Sequence, residues 1–286
     1  MRAKKIVIIL MLLSLMFTLC ACGKSKKVTE LEELIASIGE VSLEKQSSIE
    51  EAQKNYQELS DSDKAKVENY GVLEAASAEL NKLLEVQAAI DSYLSFYHSN
   101  PSPTTIDYSK AFVDSNLVSQ YRVEFEKLQA LSIGQDMCPE IKYAESVIKL
   151  EDFIQYNDFI VCIYSTKETV ASGFTDILDV ISAGSKADAT VAFSKLNSAA
   201  ARFEAAEKTA LSFDQNAERI NEIVKCYGLL KSGATNMGSG LYLGSNVVFN
   251  TGKSTVSEQS NVYSILLNYA SSVIEDMEVV LGELTR

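Results

Sequence analysis

His98 and Ser99 are the pair that most directly suggests catalysis, because a histidine beside a serine can activate its hydroxyl as a nucleophile. His98 is the only histidine of the chain, and neither a nucleophile elbow nor a papain-like pattern accompanies it. The 39 acidic residues include no pair isolated in an apolar segment, the setting that prepares carboxylates for acid catalysis. We therefore expect a protein that is not an enzyme, with His98 in a surface loop. An unrecognised hydrolase remains the enzymatic alternative.

Two glycine-containing segments approach nucleotide-binding motifs but fail on spacing. Gly252-Lys253-Ser254 matches the end of a P-loop, yet the first glycine of that motif would fall at Val247. Gly238, Gly240 and Gly244 miss the dinucleotide-binding spacing by one residue, and no βαβ pattern surrounds them. The sequence therefore predicts no nucleotide cofactor.

Metal binding is also not expected. The acidic cluster from Ser60 to Asp63 lacks the glycine and the final glutamate of a calcium loop, so we interpret Ser60 as a helix N-cap. Zinc sites need closely spaced Cys or His ligands, and the chain beyond residue 22 has no such pair.

The first 21 residues have the pattern of an export signal. Three basic residues precede an apolar run over residues 6–19, which is shorter than the roughly 20 residues that a membrane-spanning helix needs. The run ends in Leu19-Cys20-Ala21-Cys22, which resembles the bacterial lipobox. That resemblance implies that Cys22 carries the lipid and begins the mature chain. The alternatives are attachment at Cys20, an ordinary signal peptide or an uncleaved anchor.

A lipid on Cys22 would place the protein on the extracytoplasmic face of the cell membrane. The thioether-linked diacylglycerol of such proteins supplies two acyl chains, enough for stable anchoring. Residues 22–27 would then form a short polar tether. The formal net charge of −13 argues against nucleic acid as a partner and favours a solvated surface.

Cys138, Cys162 and Cys226 are the cysteines that remain, an odd number for an exported protein. One disulfide with one free thiol is an open alternative. Cys162 and Cys226 lie in apolar segments, which favours small buried core residues.

Residues 28–85 read as a small helical module. Apolar residues at three- and four-residue spacing alternate with turn and capping signals. The pattern of Ile38-Gly39, Ile49, Tyr56, Leu59-Ser60-Asp61 and Asn69-Tyr70 resembles FIVAR-type and related three-helix modules of Gram-positive surface proteins. The resemblance implies a Gram-positive surface protein, with a module that acts as a spacer or binds a wall ligand.

A long helix is predicted from Leu73 to Tyr97, and it carries the boundary near residue 85 into a second region, residues 86–286. Helical spacing dominates that region too, although a strand stays open for the apolar run Phe159 to Tyr164. Ser172-Gly173 is expected to bend or interrupt a helix that Gly184 ends, and the final helix is expected to begin near Thr255. The predicted fold is all-α: a small module joined by a long helix to an antiparallel helical bundle.

Residues 235–251 are the exception to the helical spacing. Their glycines and the alternating Leu241-Tyr242-Leu243 predict a short β-hairpin, with its turn at Gly244, or an ordered loop. Because long loops often carry function, we place a candidate ligand-binding surface on Gly240, Tyr242, Gly244 and Phe249.

Two functions agree with these patterns. The first is a membrane-anchored, non-enzymatic helical scaffold or spacer that binds an envelope protein or a wall ligand. The second is a lipoprotein that captures a small ligand as an accessory to uptake. The sequence lacks the βαβ alternation typical of transport binding proteins, which counts against the second.

Overall fold

A computed structural model describes residues 24–282, except 101, 103, 105, 106 and 185–187. The predicted lipid site at Cys22 lies outside the described residues. Within them the fold is all-α, as predicted, and no strand occurs. The single β-bridge joins Thr104 to Val113.

The helices are numbered here in chain order. Their bounds are α1 Lys26–Ile38, α2 Gln46–Gln57, α3 Asp61–Lys64, α4 Tyr70–Ser99, α5 Ser115–Ala130, α6 Ile141–Lys149, α7 Glu151–Ile154, α8 Asn157–Ala183, α9 Ala189–Ala210, α10 Ile220–Leu243 and α11 Asn246–Gly282. The prediction of a long helix from Leu73 to Tyr97 is confirmed by α4, which continues to Ser99. The prediction that His98 lies in a loop is wrong, because this exposed residue belongs to the last turn of α4.

The chain divides into two compact units between Ser92 and Tyr93, inside α4. The sequence placed this boundary near residue 85, in the same helix. In the first unit, α1, α2 and the first part of α4 enclose one core, to which Leu59 and Val67 on either side of α3 also belong. Its most buried members include Val28, Leu31, Ile35, Ile49, Ala52 and Leu73.

Serine side chains begin two helices of the first unit. The Ser25 hydroxyl accepts a hydrogen bond from the Val28 N–H, and Ser60 accepts one from the Asp63 N–H at 3.3 Å. The prediction that Ser60 is an N-cap is thereby confirmed.

Helices α8 to α11 form an antiparallel four-helix bundle in the second unit. Phe174 of α8 contacts Phe203 of α9 edge to face, with the ring centroids 5.4 Å apart. Near the other end of α9, Phe193 lies 6.1 Å from Tyr242 at the end of α10. Contacts between consecutive helices run in reverse order along the two helices: Asp176 pairs with Arg202, and the later Asp179 pairs with the earlier Lys195. Likewise Gly233 faces Val256, and the later Gly240 faces the earlier Phe249. Consecutive helices of the bundle therefore run in opposite directions.

Helix α8 settles two open points of the sequence. The run Phe159 to Tyr164 is helical, and α8 passes Gly173 without interruption before Gly184 ends it at a φ of 53°. A Cβ at Gly173 would lie 2.8 Å from Phe203 Cε1. The glycine therefore makes room for the buried Phe203 ring rather than breaking the helix.

The remaining helices of the second unit pack through aromatic rings. Tyr93, at the end of α4, is fully buried and donates a hydrogen bond from its hydroxyl to the Glu140 carbonyl at 2.7 Å. Tyr121 of α5 contacts Phe96 edge to face and donates its hydroxyl proton to the Asn100 carbonyl.

The prediction of a β-hairpin near residues 240–250 is wrong. Helix α10 continues to Leu243, and α11 begins at Asn246, well before the Thr255 start that the sequence predicts. The reversal takes only two residues, because Gly244 adopts a left-handed conformation at a φ of 65° and the Ser245 hydroxyl accepts from the Val248 N–H. Gly244 is therefore the turn residue, as the sequence predicts, whereas Gly238 and Gly240 are buried within α10.

Candidate functional site

A groove of about 470 Å³ lies at one end of the four-helix bundle. The end of α8, the start of α9, the end of α10 and the start of α11 meet there, and we call it the groove end. Its apolar wall consists of Val180, Ile181, Ala192, Leu241 and Phe249. A volume of this size, lined mostly by apolar side chains with few polar groups, is typical of small-molecule sites.

Glycines bring the two walls of the groove together. A Cβ at Gly240 would lie 2.7 Å from Phe249 Cα, so only glycine permits this approach of α10 to α11. About one turn away, a Cβ at Gly252 would lie 2.7 Å from Met237 N. The close approach positions the half-buried Phe249 ring in the groove.

Two polar side chains line the groove, from Asn246 and Lys253 of α11. Among the described residues of the lining Lys253 alone is charged, and its ammonium group forms no ion pair with any carboxylate of those parts of the chain. Asp188 directly precedes the lining residue Ala189, and its carboxylate caps α9 by accepting from the Thr190 and Val191 N–H groups.

Apolar side chains project into solvent around the groove end. Tyr242 is 81 % exposed, Val247 is 77 % exposed and Leu243 is 68 % exposed. Leu178 and Val191 are also more than half exposed. Clustered exposed apolar side chains mark binding surfaces more often than scattered ones do.

The end of α10 and the start of α11 also lack charge. From Ser232 to Gly252 the chain contains no Asp, Glu, Lys or Arg, whereas 23 % of all residues are charged. We call residues 232–252 the uncharged hairpin. Its composition is the sequence signal that could have identified this surface, and the glycine pattern obscured it by suggesting strands.

The four candidate ligand-binding residues fall in two places. Gly240, Gly244 and Phe249 line the groove. Tyr242 lies on the exposed rim, where its ring approaches Phe193. The apolar residues that α8 contributes, Val180 and Ile181, were not anticipated from the sequence.

Residues considered for catalysis do not form a catalytic arrangement in the described part of the chain. The His98 ring lies 5.2 Å from the Tyr97 ring, and the Ser99 hydroxyl donates to the Ser95 carbonyl rather than approaching His98. Across residues 24–282, outside the gaps named above, no three His, Cys, Asp or Glu side chains gather closely enough to hold a metal ion.

Cys138, Cys162 and Cys226 are buried free thiols. Burial raises the pKa of Cys162 and of Cys226 to about 12, so both thiols stay protonated at neutral pH. Beside them the Tyr227 hydroxyl pairs with the Thr166 hydroxyl at 2.7 Å, and Thr166 also donates to the Cys162 carbonyl. These groups belong to the core of the bundle.

A second groove of about 470 Å³ lies in the first unit between α2 and α4. The rings of Tyr56 and Tyr70 stack there with centroids 3.9 Å apart, and the Lys64 ammonium lies 5.8 Å from the Tyr56 centroid. The ring faces of Tyr56 are therefore already engaged by the protein. This leaves the groove end as the better candidate site.

Among the described residues, no helix combines the length and hydropathy that a membrane span needs. No protein-family profile, no curated protein and no solved structure matches the chain. The candidate site therefore rests on its own geometry.

Proposed function

We propose that the chain is a lipoprotein anchored through Cys22 to the extracytoplasmic face of a cell membrane, in a Gram-positive envelope. The lipobox-like Leu19 to Cys22 after a short apolar run supports the anchor. The resemblance of residues 28–85 to surface-protein modules supports the envelope. The protein acts as a non-enzymatic scaffold or spacer, and its bundle binds an envelope protein or wall ligand.

Anchoring is tested with two matched variants expressed in a Gram-positive host. With radiolabelled palmitate, the parent chain and Cys20→Ser should take up label and stay with the membrane fraction. Cys22→Ser should lose both properties. Label that persists in Cys22→Ser and disappears in Cys20→Ser would move the lipid to Cys20, and no label in any variant would contradict the anchor.

One observation supports binding at the groove end: the apolar side chains of Tyr242, Leu243 and Val247 are exposed within the uncharged hairpin. Leaving such side chains in water costs roughly 1.5–3 kcal/mol each relative to burial. A partner with an apolar surface would recover part of that free energy. The absence of charge also removes the desolvation cost that a charged surface would impose on such a contact.

Site-specific photo-crosslinking in cells tests this contact. A photoreactive phenylalanine analogue replaces Tyr242 or Val247, and Ile265 in the middle of α11 serves as the control because it is 62 % exposed. We expect the same envelope product from positions 242 and 247 and none from 265. Equal products from all three positions, or none from the first two, would contradict a partner at the groove end.

Capture of a small ligand is the second candidate function. The observation that favours it is the groove itself, about 470 Å³ with an apolar wall and two polar side chains. A thermal-shift screen with lipid-derived compounds tests it, because a ligand at 100 times its Kd stabilises the folded chain by about 2.7 kcal/mol. A screen without shifts would leave the scaffold function.

A further inference from the structure

We infer that the groove binds a small anionic amphiphile, with an acyl chain on its apolar wall and a carboxylate or phosphate head at Lys253. The inference rests on the ligand-capture function and specifies its ligand class. It also gives a role to Lys253, which the sequence places in an incomplete P-loop motif.

The shape of the groove favours a narrow apolar chain. Its wall joins Val180 and Ile181 of α8 to Leu241 and Phe249 of the uncharged hairpin. Gly244 presents backbone without a side chain, and a Cβ there would meet nothing within 4 Å, which leaves room for the ligand. Each methylene group of an acyl chain that is buried there should tighten binding about fourfold.

The charge distribution favours an anionic head. Lys253 is exposed, lines the groove and has no carboxylate partner among the described residues. By contrast, several exposed lysines of the same bundle are paired, such as Lys195 with Asp179 and Lys208 with Glu204. None of the described lining residues carries a carboxylate, so an anion at Lys253 meets no acidic side chain among them.

A cationic or zwitterionic ligand fits less well. Among the described lining residues there is no carboxylate that could pair with a cation. Asn246 supplies an uncharged donor and acceptor that can hydrogen-bond a carboxylate, a phosphate or a linking ester. The ligand class is therefore set by one cation, one amide and an apolar wall.

Calorimetric titration with decanoate and decanol tests the inference, because the two probes share an acyl chain and differ in charge. The protein is the chain from residue 22 carrying Cys22→Ser, which keeps every described residue and needs no detergent. Decanoate should bind about fivefold more tightly than decanol, the ratio that roughly 1 kcal/mol of an exposed ion pair gives. A decyl phosphate titration distinguishes phosphate from carboxylate heads.

Two variant pairs locate the binding. Lys253→Met should remove the preference for decanoate, whereas Lys225→Met near the start of α10 should keep it. Ala189→Phe fills the groove from an exposed position at the start of α9 and should weaken both probes. Ala205→Phe, at an exposed position later in α9, should change neither. Circular dichroism of each variant shows whether it is folded.

The outcomes separate the two levels of the proposal. Decanol binding as tightly as decanoate, in a manner that Ala189→Phe weakens, would overturn the anionic class and leave ligand capture standing. No binding of any probe would overturn both the anionic class and capture of acyl ligands. Binding that Ala189→Phe and Lys253→Met leave unchanged would place the probes elsewhere and overturn the site.

Discussion

The α8–α9 pair and the α10–α11 pair are antiparallel helix pairs of the same bundle, yet different interactions hold them together. Between α8 and α9 a large ring, Phe203, fills the space over Gly173, and ion pairs Asp176–Arg202 and Asp179–Lys195 cross the surface. Between α10 and α11 the backbones approach at Gly240 and Gly252.

This difference explains why the groove end offers a surface. Close backbone approach leaves little space for side chains between α10 and α11, so Tyr242, Leu243 and Val247 project outward. The α8–α9 pair buries Phe203 and carries two ion pairs across its seam, although Leu178, Val191 and Phe193 stay exposed. The α10–α11 pair therefore leaves apolar area available to a partner or a ligand.

The largest effect is expected for Phe203→Ala. Phe203 is fully buried, so its removal should lower the free energy of unfolding by about 4 kcal/mol, as the loss of large core side chains does. Denaturant unfolding measures the change. Gly173→Ala should destabilise the parent chain but stabilise the Phe203→Ala variant, because a Cβ there would lie 2.8 Å from the ring that is removed. Additive effects of the two substitutions would show that ring packing does not govern this pair.

Gly240→Ala tests the other pair. The added methyl would lie 2.7 Å from Phe249 Cα, which is backbone and moves only with the helix, so we expect a loss of about 2 kcal/mol. Gly228→Ala is the control in the same helix, since its Cβ would meet only the Glu207 carboxylate at 2.7 Å, the flexible end of a side chain. That variant should be unchanged or gain up to about 1 kcal/mol from helix propensity. Equal losses at both positions would remove the distinction between the pairs.

The same glycines mark the limit of what the sequence predicts. Helices α4 and α8 follow from apolar residues at three- and four-residue spacing, and Ser60 follows from local capping chemistry. Whether Gly240 is a turn residue or a contact point depends on Phe249 of the next helix, which no local pattern specifies. The sequence therefore predicts a β-hairpin or an ordered loop over residues 235–251, where the structure has the end of α10 and the start of α11.

The candidate site was predictable only in part for a similar reason. Gly240, Gly244 and Phe249 come from one segment of the sequence and meet at the groove. Val180, about sixty residues earlier, joins them only because α8 runs the full length of the bundle to the same end. In the sequence Lys253 belongs to an incomplete nucleotide-binding motif. It lines the groove because α11 begins at Asn246 and carries Lys253 to this end of the bundle.

Tyr227→Phe tests a hydrogen bond between the two pairs, from α10 to α8. The Tyr227 hydroxyl of α10 pairs with Thr166 of α8, and both are buried. Thr166 keeps its bond to the Cys162 carbonyl in the variant, so no donor is orphaned and we expect a loss of about 1 kcal/mol. Thr166→Val should cost more, because it leaves the Tyr227 hydroxyl buried without that partner. Thermal unfolding of the two variants ranks them, and the opposite order would place the main hydrogen bond of Tyr227 elsewhere.

The smallest effect is expected at the surface charges of the α8–α9 pair. The Lys195 and Asp179 side chains are 37 % and 50 % exposed, so water and salt screen their attraction. Asp179→Asn should therefore lower the free energy of unfolding by about 0.5 kcal/mol in dilute buffer and by less in 1 M salt. Asp176→Asn, whose carboxylate is only 20 % exposed beside Arg202, should cost more and respond less to salt. If both losses exceeded that of Gly240→Ala, charge rather than ring packing would hold α8 to α9, and the contrast with α10–α11 would be one of electrostatics.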